Sequence, residues 1–215
     1  MSRAVRVNVG CGSTPTRGWL NFDNSPTVRL AHLPLAPLIV SRLPGNAYRA
    51  TFLKVARAHD IRWAKATQLP LGSGVAQVVY SSHMLEHLQR SDAELFLNEA
   101  KRVLQPGGTL RLVVPDLRSL AQRYLTEGDA NRFVEATLLA VPEASSFAAR
   151  LELAMSGHRG HAWMYDGPSL CALVAARGFA DVRETNAHET RIQAPEPLDL
   201  AERADESIYV EATRP

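Results

Sequence analysis

A strand, a glycine turn and a second strand ending in a carboxylate fill the first two dozen residues, and that order restricts what the chain can fold into. Val5, Val7 and Val9 alternate with polar residues at strand period, Gly10-Cys11-Gly12 follows at once, and Gly18-Trp19-Leu20-Asn21-Phe22 leads into Asp23. Glycines let a backbone reverse sharply and approach a ligand with no Cβ in the way. A carboxylate at the end of the second strand can accept hydrogen bonds from two ribose hydroxyls. Thr14 stands where a third glycine of a G-x-G-x-G pattern would fall, and only ten residues lie between Gly12 and Asp23. A crossover joining two parallel strands usually needs a dozen residues or more, so its helix must be short or missing here.

Beyond this start the chain alternates strands with helices, the pattern of an α/β protein whose mostly parallel sheet is covered on both faces. Strands are expected at 5–9, 19–23, 60–64, 76–81, 109–114, 181–186 and 207–213. A helix is expected over 91–104, with Ser91 as N-cap, Glu94 completing a capping box, and Leu95, Phe96, Ala100, Val103 and Leu104 as its apolar stripe. Gln105-Pro106-Gly107-Gly108 ends it. A second helix should run from about 168 to 177, capped by Asp166, with Leu170, Leu173 and Val174 facing inward and Gly178 closing it.

Two stretches interrupt the alternation. Residues 25–59 carry Leu30, Leu33, Leu35, Leu38, Ile39 and Val40 among prolines at 26, 34, 37 and 44, too broken for one helix and too apolar for a disordered linker. They read as a lid inserted into a single domain spanning 1–215, or as a layer packed on the sheet or on a second subunit. Residues 117–165 read as a helical segment on the substrate side, ending in the polar and aromatic run from Gly157 to Asp166.

Composition excludes several classes of function. The chain has 215 residues, 46% hydrophobic and 21% charged, which suits one globular domain with a sizeable core. The net charge of +2 comes from scattered arginines with no basic run, so no nucleic-acid footprint is present. Two cysteines, Cys11 and Cys171, form neither a disulfide framework nor a metal set, which points to a reducing compartment and a cytoplasmic location. No apolar span of about twenty residues and no cleavable leader is apparent, so neither a membrane span nor export is expected.

Four segments in order carry a resemblance. They are Asn8–Gly12 with Gly18–Asp23; Ala66-Thr67-Gln68-Leu69-Pro70-Leu71; Val78-Val79-Tyr80-Ser81-Ser82-His83-Met84-Leu85-Glu86-His87-Leu88; and Arg102–Leu110. Together they resemble the class I S-adenosylmethionine-dependent methyltransferases, specifically the small enzymes of the methyltransferase-11 type. The likeness extends over nearly all of the chain outside 25–59. It implies a Rossmann-like sheet of seven strands, mostly parallel, with helices on both faces and the last strand antiparallel, so that 181–186 and 207–213 form a final hairpin. It also implies S-adenosylmethionine as cofactor. Gly10, Cys11 and Gly12 would then lie along its methionine part, Asp23 would hold its ribose, Ala66, Thr67 and Gln68 would cup its adenine, and Ser81, Ser82 and His83 would close the other side. Lys65 and Gln77 depart from the family, where aspartates are common.

Methyl transfer is an in-line displacement, so positioning an acceptor lowers much of the barrier and no covalent catalyst is required. A hydroxyl acceptor gains from a base, and histidine titrates nearest neutrality. His161, then His158, are the candidate bases, each with hydrogen bonding to backbone as its alternative role. His83 directly follows the fourth strand and could face the acceptor, with His87 supporting that loop. His83 and His87 lie four apart beside Glu86 on an expected helix, but there is no H-E-x-x-H, no thiol and no third ligand at diagnostic spacing, so no metal is expected. Asp116 either orients the acceptor or caps the helix after it. Trp163 and Tyr165 either frame an aromatic or sugar acceptor or pack at the sheet edge. The expected partner is a small-molecule substrate, a hydroxyl of a sugar or secondary metabolite ahead of an amine, with a homodimer or a partner subunit left open. Two rivals remain. One is a catalytically silent cofactor-binding subunit, and the other an NAD(P)-dependent oxidoreductase, weakened by the lack of G-x-G-x-x-G and of a Tyr-x-x-x-Lys pair.

Overall fold

The computed structural model describes residues 5–42, 46–139, 160–193 and 198–215. Its strands are β1 (Val5–Val9), β2 (Leu20–Asp23), β3 (Arg62–Trp63), β4 (Ala76–Ser82), β5 (Leu104–Pro115), β6 (Ala180–Thr185) and β7 (Ser207–Thr213). They form one sheet in the order β3-β2-β1-β4-β5-β7-β6. The first five pair in parallel, and β7 runs antiparallel to both β5 and β6. The carboxyl ends of β1, β2, β3, β4 and β5 therefore share one edge, where open α/β sheets bind ligands.

No helix joins β1 to β2; two buried amides fasten the connection instead. Asn8 Nδ2 donates to Thr16 Oγ1 at 3.0 Å, while Asn21 accepts from the Thr16 amide at 2.8 Å and donates to the carbonyls of Thr16 and Trp19. Side-chain amides carry both donors and acceptors, so they can satisfy an irregular turn that no ladder reaches.

The interrupting stretch folds into three helices, α1 (Pro26–Ala31), α2 (Ala36–Ser41) and α3 (Asn46–Ala58). Val28, Ala31, Val40, Phe52, Leu53 and Ala56 gather with Cys11 and Ile61 into a small core beside β3. The Arg29 guanidinium lies 3.7 Å from the Trp63 ring centre, and Arg57 Nε donates to the Ala31 carbonyl at 2.6 Å, tying this layer together.

The main core lies on one face of the sheet. Helix α4 (Arg90–Val103) packs there through Ala93, Phe96, Leu97, Ala100 and Val103, spaced as one helical stripe. Its start differs from expectation: the chain enters extended at Gln89 with no side-chain cap, so Ser91 is already inside the first turn and the Ser91–Glu94 capping box does not form. Leu95, expected in the stripe, is exposed because Ala93, Phe96, Leu97 and Ala100 set the buried face elsewhere. Strand β5 also begins earlier than expected, at Leu104, and carries Gly107 in the left-handed region at φ +75°. After α5 (Leu117–Glu127) and α6 (Ala130–Thr137) comes α7 (Gly167–Ala176), where Asp166 caps and Ser169 returns the bond in a reciprocal pair.

Side chains alternate across strands, so Tyr80, Arg111, Val113, Tyr209 and Glu211 point to the opposite face. Trp19, Ile192 and Leu198 cover them. Arg111, fully buried, contacts Asp199 at 2.6 Å and Glu211 at 2.9 Å and donates to the Glu189 carbonyl. Thr190 Oγ1 and the Arg191 amide also donate to Glu211, and the Tyr80 hydroxyl donates to the Leu198 carbonyl. A bonded ionic centre thus pins the segments 186–193 and 198–200 to the sheet. Among the described residues no helix is long and apolar enough to cross a membrane.

Candidate functional site

The glycine turn opens directly from β1. Gly10 and Gly12 have φ of +70° and +50°, a region that side chains rarely occupy. A Cβ on Gly10 would overlap Met84 Cγ, whereas the space beside Gly12 is open. Asp23 braces the turn: one carboxylate oxygen accepts from the Gly12 amide at 3.0 Å and the other from the Ser25 amide at 2.8 Å. Each oxygen keeps a further acceptor site. Burial raises the Asp23 pKa, opposed by these amides.

The remaining cofactor candidates divide by what their side chains do. The Cys11 thiol is buried in the α1–α3 core, and burial followed by the Asp23 charge pushes its pKa far up, so only its backbone is free for a ligand. Ala66 and Thr67 are half-buried and Gln68 exposed in the turn after β3. Ser81 donates to the Val9 carbonyl at 2.9 Å and is wholly buried, which ties β4 to β1. Ser82 is half-buried at the end of β4. An open glycine amide turn, a carboxylate with spare acceptor sites and the adjoining 66–68 and 82–83 segments suit a molecule with a ribose and an amino-acid tail, so the residues present fit S-adenosylmethionine.

Next to this turn the chain builds a feature that local spacing did not reveal. His83 takes a left-handed backbone, φ +51°, at the end of β4. The chain then makes a 3-10 turn, Leu85–His87, rather than the expected α-helix. This turn drives the Glu86 side chain inside, to 1% exposure, yet neither carboxyl oxygen has a hydrogen-bond partner. Three imidazoles surround it. His83 Nδ1 stands 3.4 Å from Glu86 Oε1, in ion-pair range but not aligned as a hydrogen bond, and its Nε2 meets Ser207 Oγ at 3.0 Å. His161 Nε2 lies 4.0 Å from the same oxygen. The His87 and His161 rings meet edge to face, 5.2 Å between centres. The amides of Ala162 and Trp163 both donate to the Glu86 carbonyl, at 2.7 and 3.1 Å, which staples the distant 160–163 segment to this turn. Burial lowers the His161 pKa, as does the neighbouring His87, while Glu86 and the Thr137 carbonyl oppose the shift.

Other candidates lie farther out or deeper in. Asp116 follows β5 and caps α5, accepting from the Arg118 amide at 2.9 Å. Trp163 is exposed with the Arg90 guanidinium 5.6 Å from its ring centre. Tyr165 takes the packing role of the two expected for it: its side chain is completely buried in the main core, and its backbone bridges to Asp116 after β5. His158 lies outside the described residues.

Residues 7–112 match the sequence model of the family described as Methyltransferase domain. Among solved structures, an S-adenosylmethionine-dependent methyltransferase of Thermotoga maritima aligns over 100% of this chain and 84% of its own, at TM-score 0.54 and 15% identity. The PH0226 protein of Pyrococcus horikoshii aligns over 99% and 83%, at 0.51 and 14%. A complex of the Haloferax volcanii Trm112 methyltransferase activator with a methyltransferase aligns over 100% and 85%, at 0.52 and 14%. At such identities the likeness is one of fold. No curated protein matches the sequence. Strand order, glycine turn, Asp23 and the match over residues 7–112 agree: the chain carries a methyltransferase domain on a Rossmann-like methyltransferase fold, with S-adenosylmethionine as cofactor.

Proposed function

We propose that this protein methylates a hydroxyl of a small molecule, a sugar or secondary metabolite, at the sheet edge between the glycine turn and the Glu86 cluster. The observation that carries the reading is their adjacency: Met84, one residue from His83 and two from Glu86, packs against Gly10, so the histidines border the place where a cofactor methyl group would be presented. When bound, S-adenosylmethionine supplies a methyl group activated on a sulfonium. Asp23 would accept the ribose hydroxyls while the Gly10–Gly12 backbone lines the methionine portion. His83, His87 and His161 would line the acceptor side, with His161 Nε2 taking the hydroxyl proton as oxygen attacks. Holding the oxygen in line with the methyl carbon supplies most of the acceleration. His158, Asp116 and exposed Trp163 extend the acceptor surface in this reading.

S-adenosylhomocysteine should raise the melting temperature of the protein and NAD should not, because only a ligand of the folded form stabilises it. A panel of hydroxyl and amine acceptors read by mass spectrometry should yield a product heavier by one methyl group. His161→Ala should cut turnover at least about tenfold with S-adenosylhomocysteine affinity unchanged; equal turnover would remove His161 from the reaction. A second reading, a cofactor-binding subunit that works through a partner chain or as a homodimer, draws support from Leu33, Leu35, Leu38 and Ile39, which stay exposed around α2. Cofactor binding without turnover on any acceptor, together with a stable complex, would favour it.

A further inference from the structure

The Glu86 cluster has the composition and orientation of a cation site, and we propose that Glu86, His87 and His161 together bind one divalent first-row transition-metal ion. A carboxyl oxygen of Glu86 and one ring nitrogen of each histidine lie within 4.8 Å of one another. Around an ion holding such ligands at about 2.1 Å, tetrahedral neighbours sit roughly 3.4 Å apart. The longest separation, at most 4.8 Å, therefore needs to close by up to about 1.4 Å, which side-chain torsions supply.

The orientation of the rings is the second argument. His87 Nδ1 lies 3.0 Å from the Gly160 carbonyl, a pure acceptor, so Nδ1 carries the proton and Nε2 keeps its lone pair. His161 Nδ1 faces the Met164 sulfur at 3.1 Å, and its Nε2 faces Glu86. Metal-binding histidines characteristically have the far nitrogen engaged in this way, which fixes the tautomer and aims the ligand atom. The third argument is Glu86 itself. A buried carboxyl group with both oxygens unpartnered is costly, and a bound cation satisfies it directly.

One carboxylate and two imidazoles suit zinc, cobalt, iron or nickel rather than magnesium, which demands an oxygen shell. Three protein ligands leave positions open on the exposed side of His87, as in metal sites that take a substrate. The existence of the site is independent of the acceptor assignment; only its catalytic consequence rests on that reading. With an ion in place, His161 Nε2 would serve as a ligand instead of as the base, and the ion would lower the pKa of an acceptor hydroxyl bound to it so that its proton passes to solvent. The sequence alone argued against a metal because the third ligand arrives from a segment remote from the His83–His87 run.

The test is titration of tag-free, chelator-treated full-length protein with Zn(II) by calorimetry and with Co(II) by visible absorption. One equivalent should bind, Co(II) should develop the d–d bands of a nitrogen and oxygen site, and Mg(II) in excess should not displace it. His87→Ala, a change at an exposed side chain, should weaken Zn(II) more than about a hundredfold, beyond the 10–100-fold typical of losing an outer-shell partner. Glu86→Gln keeps the shape and should weaken it similarly. Absence of stoichiometric binding, or affinity unchanged in both variants, overturns the proposal. Thermal shift with S-adenosylhomocysteine in the same samples reports on the methyltransferase reading separately, since that ligand is held by Gly10–Gly12 and Asp23.

Discussion

Two sites with buried carboxylates, one on the sheet face around Arg111 and one in the turn after β4, have opposite fates. Around Arg111 the acids Asp199 and Glu211 are fully bonded, by the guanidinium, by Thr190 and by the amides of His188 and Arg191. Around Glu86 no donor completes the carboxyl group, and three imidazoles stand near it without closing on it. A closed ionic centre holds a shape; an open one costs free energy in the isolated protein, and such a cost survives where a ligand or a reaction uses it.

The largest expected effect breaks the closed group. Arg111→Ala leaves Asp199 buried without a cation and Glu211 with only the more exposed Arg191 and Arg183, and should lower stability by about 3–5 kcal/mol, read as a fall of the urea midpoint at unchanged slope. A loss under about 1 kcal/mol would mean that the coil over the sheet is anchored elsewhere. At the open group the sign should reverse. Glu86→Leu should leave stability unchanged or raise it by about 1 kcal/mol, while transfer to any acceptor disappears; a clear destabilisation would show that Glu86 has native partners after all.

Asp23 lies between these extremes, half-buried with two amide donors, and it sharpens the comparison through pH. Its pKa is raised by burial, so the folded chain takes up this proton more readily than the unfolded one, and the apo protein gains slightly in stability as pH falls through that value. Cofactor binding has the opposite preference, because the protonated group loses acceptor capacity. Affinity for S-adenosylhomocysteine should therefore begin to decline at a higher pH than an exposed aspartate would give. Asp23→Asn should flatten that dependence and weaken binding about ten- to a hundredfold, the worth of hydrogen bonds to a charged group. A pH profile identical in the variant would exclude Asp23 from the ribose site.

How much could be read in advance depends on the range of each interaction. The strands and the Asp166 cap rest on neighbours in sequence, so periodicity and turn residues located them, and the short Gly12–Asp23 span implied a crossover helix that is short or missing. The capping box at Ser91 failed because Ser-x-x-Glu says nothing about where the entering chain bends, and the bend falls at Gln89. Arg111 escaped notice because its partners Asp199 and Glu211 arrive from the far end of the chain. The Glu86 cluster was half visible: His83, Glu86 and His87 fall within five residues, but the staple from Glu86 to Ala162 and Trp163 that delivers His161 is a pair of backbone bonds, which no residue type announces.

The partition between the glycine turn and the histidines is Met84, leaning on Gly10. An unbranched thioether bends at three torsions and gives way at little expense, unlike a β-branched wall. A molecule pressing on it would therefore meet a yielding side chain before it met the strands behind.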